Sequence, residues 1–406
     1  MNDIEKNPYE ELGVSSTKKG VHEATKNLSK GLYPGAFCKV VPLIGNIPQE
    51  VKARYVQIIH SDGVGTKSNV AYIARQEGYG TEVYRTLPQD ALVMNTDDMA
   101  CVGVTNDIYV SNHIARNAKR VSDEDVATII KGYSDFFCVA ESLGINIYDA
   151  GGETADVGSY TTTLGIDVTA TAIIEKEKVI DCSNIRSGHY IVGLASYGMS
   201  DYEKKYNSGI RSNGLTLAIN SLLSPYYRKH PEAMDQTVDP NRLFTGKYKL
   251  DDVIKGETIT VVESILSPTR TYIPVLKKCF EQGIEISGII HCSGGGMTKS
   301  MNFGKNIRYM KSDLLPTPAI FREIQEARNI EDEYMYSTFN MGIGMEIIVP
   351  SIDAAMKVVN HARSFNIEAQ VIGYTEATFG NTNEVEIKTD NKVLRYSKDM
   401  KKQSFI

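Results

Sequence analysis

Extended and helical spacing alternate twice along this chain, across residues 51–174 and again across 190–374, and this rhythm narrows the available folds more than any other feature. In the first half the spacing predicts strands over 51–59, 108–114, 145–150 and 161–174. Helices are expected over 67–77 and 87–101, with another capped by Ser122 and stopped at Gly144. In the second half strands fall at 190–196, 285–291, 343–349 and 369–374, and helices at 213–223, 268–282, 318–328 and 352–364. The polar stretch 175–188 separates the two series, so one domain is expected over 1–183 and a second over 184–406, of α/β (α+β) class. At 406 residues the chain is long enough for two cores. Residues 200–208 and 224–256 read as long polar loops, and 381–406 as a polar, basic tail.

Composition excludes several classes of function. A net charge of −6 with no basic stripe argues against nucleic acid. No run of about eighteen apolar residues occurs, and the N-terminus lacks the apolar core of a signal peptide, so no membrane and a cytoplasmic location are expected. The six cysteines form no Cys-x-x-Cys pair and read as reduced core thiols, with Cys292 of interest only because it follows His291.

The turns between elements carry the chemistry. Asp62-Gly63-Val64-Gly65-Thr66-Lys67 follows an apolar run and opens a helix. Its carboxylate suits a hard cation, its glycines let backbone N–H groups approach anionic oxygens, and its lysine adds a point charge. An ordinary strand-to-helix turn with a surface lysine fits the same residues, and the pattern is neither a Walker A loop nor a dinucleotide fingerprint. Asp90, Met94, Asp97 and Asp98 fall at helical spacing, where acids suit either a magnesium site shared with Asp62 or a solvated helix face. Gly151-Gly152-Glu153-Thr154-Ala155-Asp156 ends a strand, where ligands of α/β sheets collect, although a tight turn has the same composition. In His291-Cys292-Ser293-Gly294-Gly295-Gly296, three glycines in succession suit a backbone wrapped around an anion. His291 can donate to that anion, shuttle a proton or be structural. Arg211-Ser212-Asn213-Gly214 opens a helix, a ready anion site or a plain cap. Asn340, beside two glycines, can orient a substrate or form a turn.

Taken in order, these segments, together with Leu266-Ser-Pro-Thr-Arg270 and Gly193-Leu-Ala-Ser196, resemble the phosphoribosylformylglycinamidine cyclo-ligases, the aminoimidazole ribonucleotide synthetases of purine biosynthesis, over about residues 30 to 375. Tyr33-Pro-Gly-Ala-Phe-Cys38 is similar to the family's N-terminal loop. The resemblance implies a two-domain fold whose N-terminal halves pair between two subunits into a dimeric β-barrel, with ATP near that interface. It implies ATP-dependent ring closure of a ribonucleotide through a phosphorylated amide oxygen, with Mg2+. On this reading Asp62, Gly63, Gly65, Thr66, Lys67, Gly152 and Glu153 bind ATP, and Asp62, Asp97 and Asp98 hold the metal. Lys67, Asp98 and His291 are the catalytic candidates, and Arg211, Ser212, Asn213, Gly294, Gly295 and Asn340 hold the ribonucleotide. The chain departs from the family pattern at Asp97-Asp98, where Asn-Asp is usual, and at Arg211, where histidine is usual, preceded by an insertion around 202–208. Lys299-Ser-Met-Asn-Phe303 replaces the acid-Asn-Ile-Pro-Arg stretch. A related kinase or synthetase acting on thiamine phosphate or selenide, or a non-catalytic nucleotide-binding regulator, is the alternative.

Overall fold

The structure, a computed structural model, describes residues 8–14, 19–25 and 27–397. A first sheet contains β1 (Val40–Pro42), β2 (Tyr55–Gly63), β3 (Ile108–Arg116), β4 (Ile147–Asp156) and β5 (Leu164–Glu175), in the order β1-β2-β5-β3-β4. Only the β3–β4 pair is parallel. A second sheet contains β6 (Tyr190–Ala195), β7 (Gly288–His291), β8 (Ile307–Lys311), β9 (Ile343–Val349), β10 (Ala369–Ala377), β11 (Glu384–Lys388) and β12 (Val393–Ser397), in the order β12-β11-β8-β10-β6-β9-β7.

The period-2 pattern of the first sheet turns Val56, Ile58, Val110, Val168 and Ala170 to a buried face. Against β2 and β5 lies the helix Leu87–Ala100, backed by the helix Asp123–Ser142. Ser122 starts the latter with a capping box, its hydroxyl accepting from the Asp125 N–H while the Asp125 carboxylate accepts from the Ser122 N–H. The helix Leu87–Ala100 is buried on nearly every side, Asp90 and Asp97 included, so its acids are not the charges of a solvated face.

Three expectations change. Of the tail expected over 381–406, residues 384–397 are not simply polar chain, because β11 and β12 form a hairpin that buries Val385, Ile387, Leu394 and Tyr396 at the edge of the second sheet, while 398–406 lie outside the described residues. Residues 224–256 are not a solvated loop either, since short 3-10 turns there bury Tyr227, Leu243, Phe244 and Leu250. The helix expected from 268 begins at Ile273, because the chain just before it is bonded to side chains of the first half.

Candidate active site

At the end of β2 the backbone turns where a side chain has no room. A Cβ on Gly63 would lie 2.0 Å from Asp167 Oδ1 and 2.7 Å from the Ile166 carbonyl oxygen, whereas Gly65, at φ +65°, faces open space. Asp62 is exposed and accepts from the Gly63 N–H at 2.7 Å. Thr66 pairs its hydroxyl with that of Thr216 at 2.8 Å, tying the turn to the helix Leu215–Leu222. The turn thus leaves backbone and one carboxylate accessible to an anion and its counter-ion.

Lys67 takes a different position from the one expected of a γ-phosphate contact. Its side chain is wholly buried, and Nζ donates to Asp90 Oδ1 at 2.8 Å and to the Ser267 carbonyl at 2.7 Å. Burial lowers its pKa against the opposing pull of Asp90. The same Asp90 oxygen also accepts from Ser212 Oγ at 2.9 Å and from the N–H and hydroxyl of Thr269 at 2.9 and 2.6 Å. Lys67 and Ser212 therefore serve a joint between the two halves of the chain, Lys67 wholly buried and Ser212 half-buried.

Asp97 is also taken by the protein. Both of its oxygens accept from the second half, one from the Thr271 hydroxyl and one from the Tyr272 N–H, each at 2.7 Å. Burial pushes its carboxyl up to about 7, against these bonds. Asp97, expected as a metal ligand, thus lies in the joint with both oxygens bonded to the second half.

Asp98 instead ends in a cluster that joins both halves. Its Oδ1 lies 2.6 Å from His291 Nδ1, and its Oδ2 lies 3.3 Å from His60 Nε2. Burial opposes its ionisation, but Lys299 and the two imidazoles hold its carboxyl well below the usual carboxylate range. His291 is wholly buried, and burial together with the charge of Arg211 lowers its pKa to about 3. A neutral ring fits the geometry, because Nδ1–H donates to Asp98 while Nε2 accepts from the Arg211 guanidinium. Both ring nitrogens of His291, expected among the catalytic groups, thus face protein partners.

His60 is the partner that sequence reading missed. Asn95 donates its amide nitrogen to the Asp62 and Ala91 carbonyls, which turns its oxygen toward His60 Nδ1 at 2.9 Å. The two ring nitrogens of His60 therefore face two acceptors, Asn95 Oδ1 and Asp98 Oδ2. Its pKa rises because Asp98 and Asn95 outweigh its burial. The signal for it in the sequence was its place two residues before Asp62 on β2.

Arg211 does not reach outward as a substrate-phosphate ligand. It is buried at φ +63°, its guanidinium donates to the Gly344 carbonyl at 2.5 Å and to His291, and the Tyr272 ring centroid is 5.8 Å away. Gly344 has to be glycine beside it, since a Cβ there would sit 2.9 Å from the guanidinium and 2.0 Å from the Tyr272 hydroxyl. Asn340 is largely engaged by the protein: its oxygen accepts from the Ser196 hydroxyl and the Gly342 N–H, both at 2.8 Å, and its amide donates to the Gly209 carbonyl at 3.0 Å. These bonds shape the turn.

Asn213, Gly294 and Gly295 do come together. The Asn213 amide nitrogen lies 3.8 Å from where a Gly294 Cβ would stand, its oxygen is buried without a partner, and both glycines are exposed. The neighbouring Cys292 is buried, and burial raises its thiol far out of the reactive range. Gly152 and Glu153 lie on β4 in the same cross-strand rows as Asp62 and Gly63, through Val168 and Asn112 for the first row and Asp167 and His113 for the second. Three strand spacings, about 14 Å, separate them from the turn.

The insertion closes over this region from the second half. Glu203 meets the buried Arg270 guanidinium and also accepts from the Ser200 N–H and the Asn207 amide, while the Tyr202 hydroxyl donates to the Thr271 carbonyl. Arg270 donates further to the carbonyls of Ala195 and Tyr197, so the insertion and the Leu266-Ser-Pro-Thr-Arg270 segment form one rigid piece.

A first sheet ending in a glycine-and-acid turn, joined through buried acids to a second sheet carrying a glycine-rich loop, defines an AIR synthase-related protein. The family models described as AIR synthase related protein, N-terminal domain, and AIR synthase related protein, C-terminal domain, match residues 41–174 and 246–385. The chain belongs to the phosphoribosylformylglycinamidine cyclo-ligase family: it is 34% identical over 322 residues to the enzyme of that name from Methanocaldococcus jannaschii, covering 79% of this chain and 78% of that protein. The corresponding protein of Acetivibrio thermocellus is 31% identical over 324 residues, covering 78% and 81%. Among solved structures, the fold is similar to Thermotoga maritima PurL complexed with FGAR, with a TM-score of 0.55, 14% identity and 98% of this chain covered. This chain spans about half (53%) of that one. A HypE–HypF complex has a TM-score of 0.53 at 13% identity, covering 93% of this chain and 98% of that chain.

Proposed function

We propose that the protein converts formylglycinamidine ribonucleotide and ATP to aminoimidazole ribonucleotide, ADP and phosphate. The observation that carries this reading is the meeting of the Asp62 turn and the His291–Gly295 loop through Asp98, within a chain of this family. In the reaction, the substrate's amide oxygen attacks the γ-phosphorus as the bond to ADP breaks. The amidine nitrogen then attacks the activated carbon, and phosphate leaves with the former amide oxygen.

The turn at Gly63 and Gly65 lies against the triphosphate, and Asn213 with Gly294 and Gly295 lies against the ribonucleotide. Asp98, fixed by His291 and His60, orients the groups between them. Among the described residues no three acids, histidines or cysteines converge on a metal, but magnesium held by one carboxylate and the nucleotide's own oxygens needs no such cage. Asp62, exposed at the turn, suits that part, and the ion would neutralise phosphate charge. With His291 closed at both nitrogens, the proton lost from the substrate's nitrogen on ring closure passes to the departing phosphate. ATP hydrolysis by the purified protein, measured with and without formylglycinamidine ribonucleotide, tests the reading. Turnover independent of that ribonucleotide, or no turnover, would refute it.

The active form is a two-fold dimer paired through the outer face of the first sheet. Ile59, Thr171, Tyr109 and Tyr148 form one row across β2, β5, β3 and β4. Ile59, Tyr109, Tyr148 and the nearby Ile173 are 55%, 53%, 43% and 51% exposed, an apolar patch that a second copy would cover. Sedimentation is expected to give about twice 44.9 kDa at micromolar concentration, and Ile59→Lys with Tyr109→Lys should shift the protein to monomer. A wild-type monomer would rule the dimer out.

A further inference from the structure

With Lys67 closed onto Asp90 and Arg211 onto His291, the site still needs a cation that can meet a phosphoryl group. Lys299 lies on the 3-10 turn Gly296–Asn302, directly after the glycine loop. It is half-buried, its Nζ donates to Ser293 Oγ, and it stands 4.5 Å from the centroid of the Phe37 ring, which itself stacks on Phe303. Among the described residues it enters no ion pair, yet its charge favours the ionised forms of Asp98 and Asp62. An ammonium has three donors, and only one is used here, by a hydroxyl. A neutral hydroxyl and an aromatic face hold a cation in place without neutralising it.

The geometry points to Lys299 as the residue that binds the phosphoryl group in transit, donating to its oxygens as the bond to ADP breaks and the bond to the amide oxygen forms. This rests on the ATP-dependent reading above. The contribution of Lys299 is charge placed where charge shifts. Lys67 is the residue that sequence motif alone selects for this part, but its ammonium would have to leave two buried partners to play it.

Lys299→Met keeps the stem against Phe37 and removes the charge, Lys299→Arg keeps the charge, and Lys305→Met, on an exposed lysine, is the control for charge loss. With both substrates saturating, the Met variant should lose about a hundredfold in kcat, while KM for the ribonucleotide changes by less than about threefold and Arg restores activity to within about tenfold of wild type. Calorimetry with the ATP analogue AMPPCP and magnesium should show binding weakened by about tenfold in the Met variant and recovered with Arg. A Met variant within about threefold of wild type in both readouts would overturn the assignment, as would equal losses in Met and Arg, the mark of a packing role. If the wild-type protein fails to turn over ATP with the ribonucleotide, the proposed reaction has failed. The AMPPCP titrations then decide the role of Lys299 by themselves.

Discussion

Asp90→Ala is expected to lower the free energy of unfolding by about 3–5 kcal/mol, because it strands the wholly buried Lys67 ammonium without a counter-charge. The same change removes the acceptor for Ser212 and for both donors of Thr269, so three further donors lose a partner, two of them buried. Lys67→Met should cost less, since Asp90 keeps Ser212 and Thr269. The Lys67→Met, Asp90→Ala double variant should be more stable than Asp90→Ala alone, because no charge is then left unpaired. Urea unfolding of the three variants measures this. A single Asp90→Ala loss below about 1 kcal/mol, or a double variant weaker than the single one, would contradict a paired buried charge.

Asp98→Ala should abolish most turnover, by about a hundredfold or more, with a smaller effect on stability than Asp90→Ala. It takes from His60 and His291 the carboxylate that orders them and leaves Arg211 beside a histidine free to turn. Asp98→Asn is the sharper probe. It preserves size and can still accept from one imidazole, but it removes the charge that raises the His60 pKa. Full activity of the Asn variant would show that the cluster is scaffolding for the fold and has no part in the reaction.

Much of the architecture was legible because strands and helices announce themselves by period and by caps. Ser122 is the clear case, its hydroxyl and Asp125 forming the bonds their spacing implies. The hairpin at the C-terminal end was not, because charged residues alternate with Val385, Ile387, Leu394 and Tyr396 in two strands of only five residues each. At the site, Gly63 and Gly65 stand out in sequence by a turn that needs them, and Asp98 by its place on a helix. The charges misled. A lysine or arginine in a phosphate-like motif has the same letter whether it faces solvent or a buried carboxylate, and Asp90, which decides the matter for Lys67, lies 23 positions further on. Lys299 and His60 escaped because each owes its setting to partners distant in the chain, Phe37 for one and Asn95 for the other.

The helix Leu87–Ala100 belongs to the first half by sequence, yet through Asp90 and Asp97 it holds the chain from Thr269 to Tyr272. The halves therefore cannot be treated as separable modules for expression or transplantation. A protease cut in the connector between Glu175 and Tyr190 would leave both fragments bound together, and either fragment made without the other would carry bare acids or bare amides on what should be its interior. Melting should accordingly proceed as one cooperative event, and a chimera that borrows one half from a relative must import the opposite side of this seam with it.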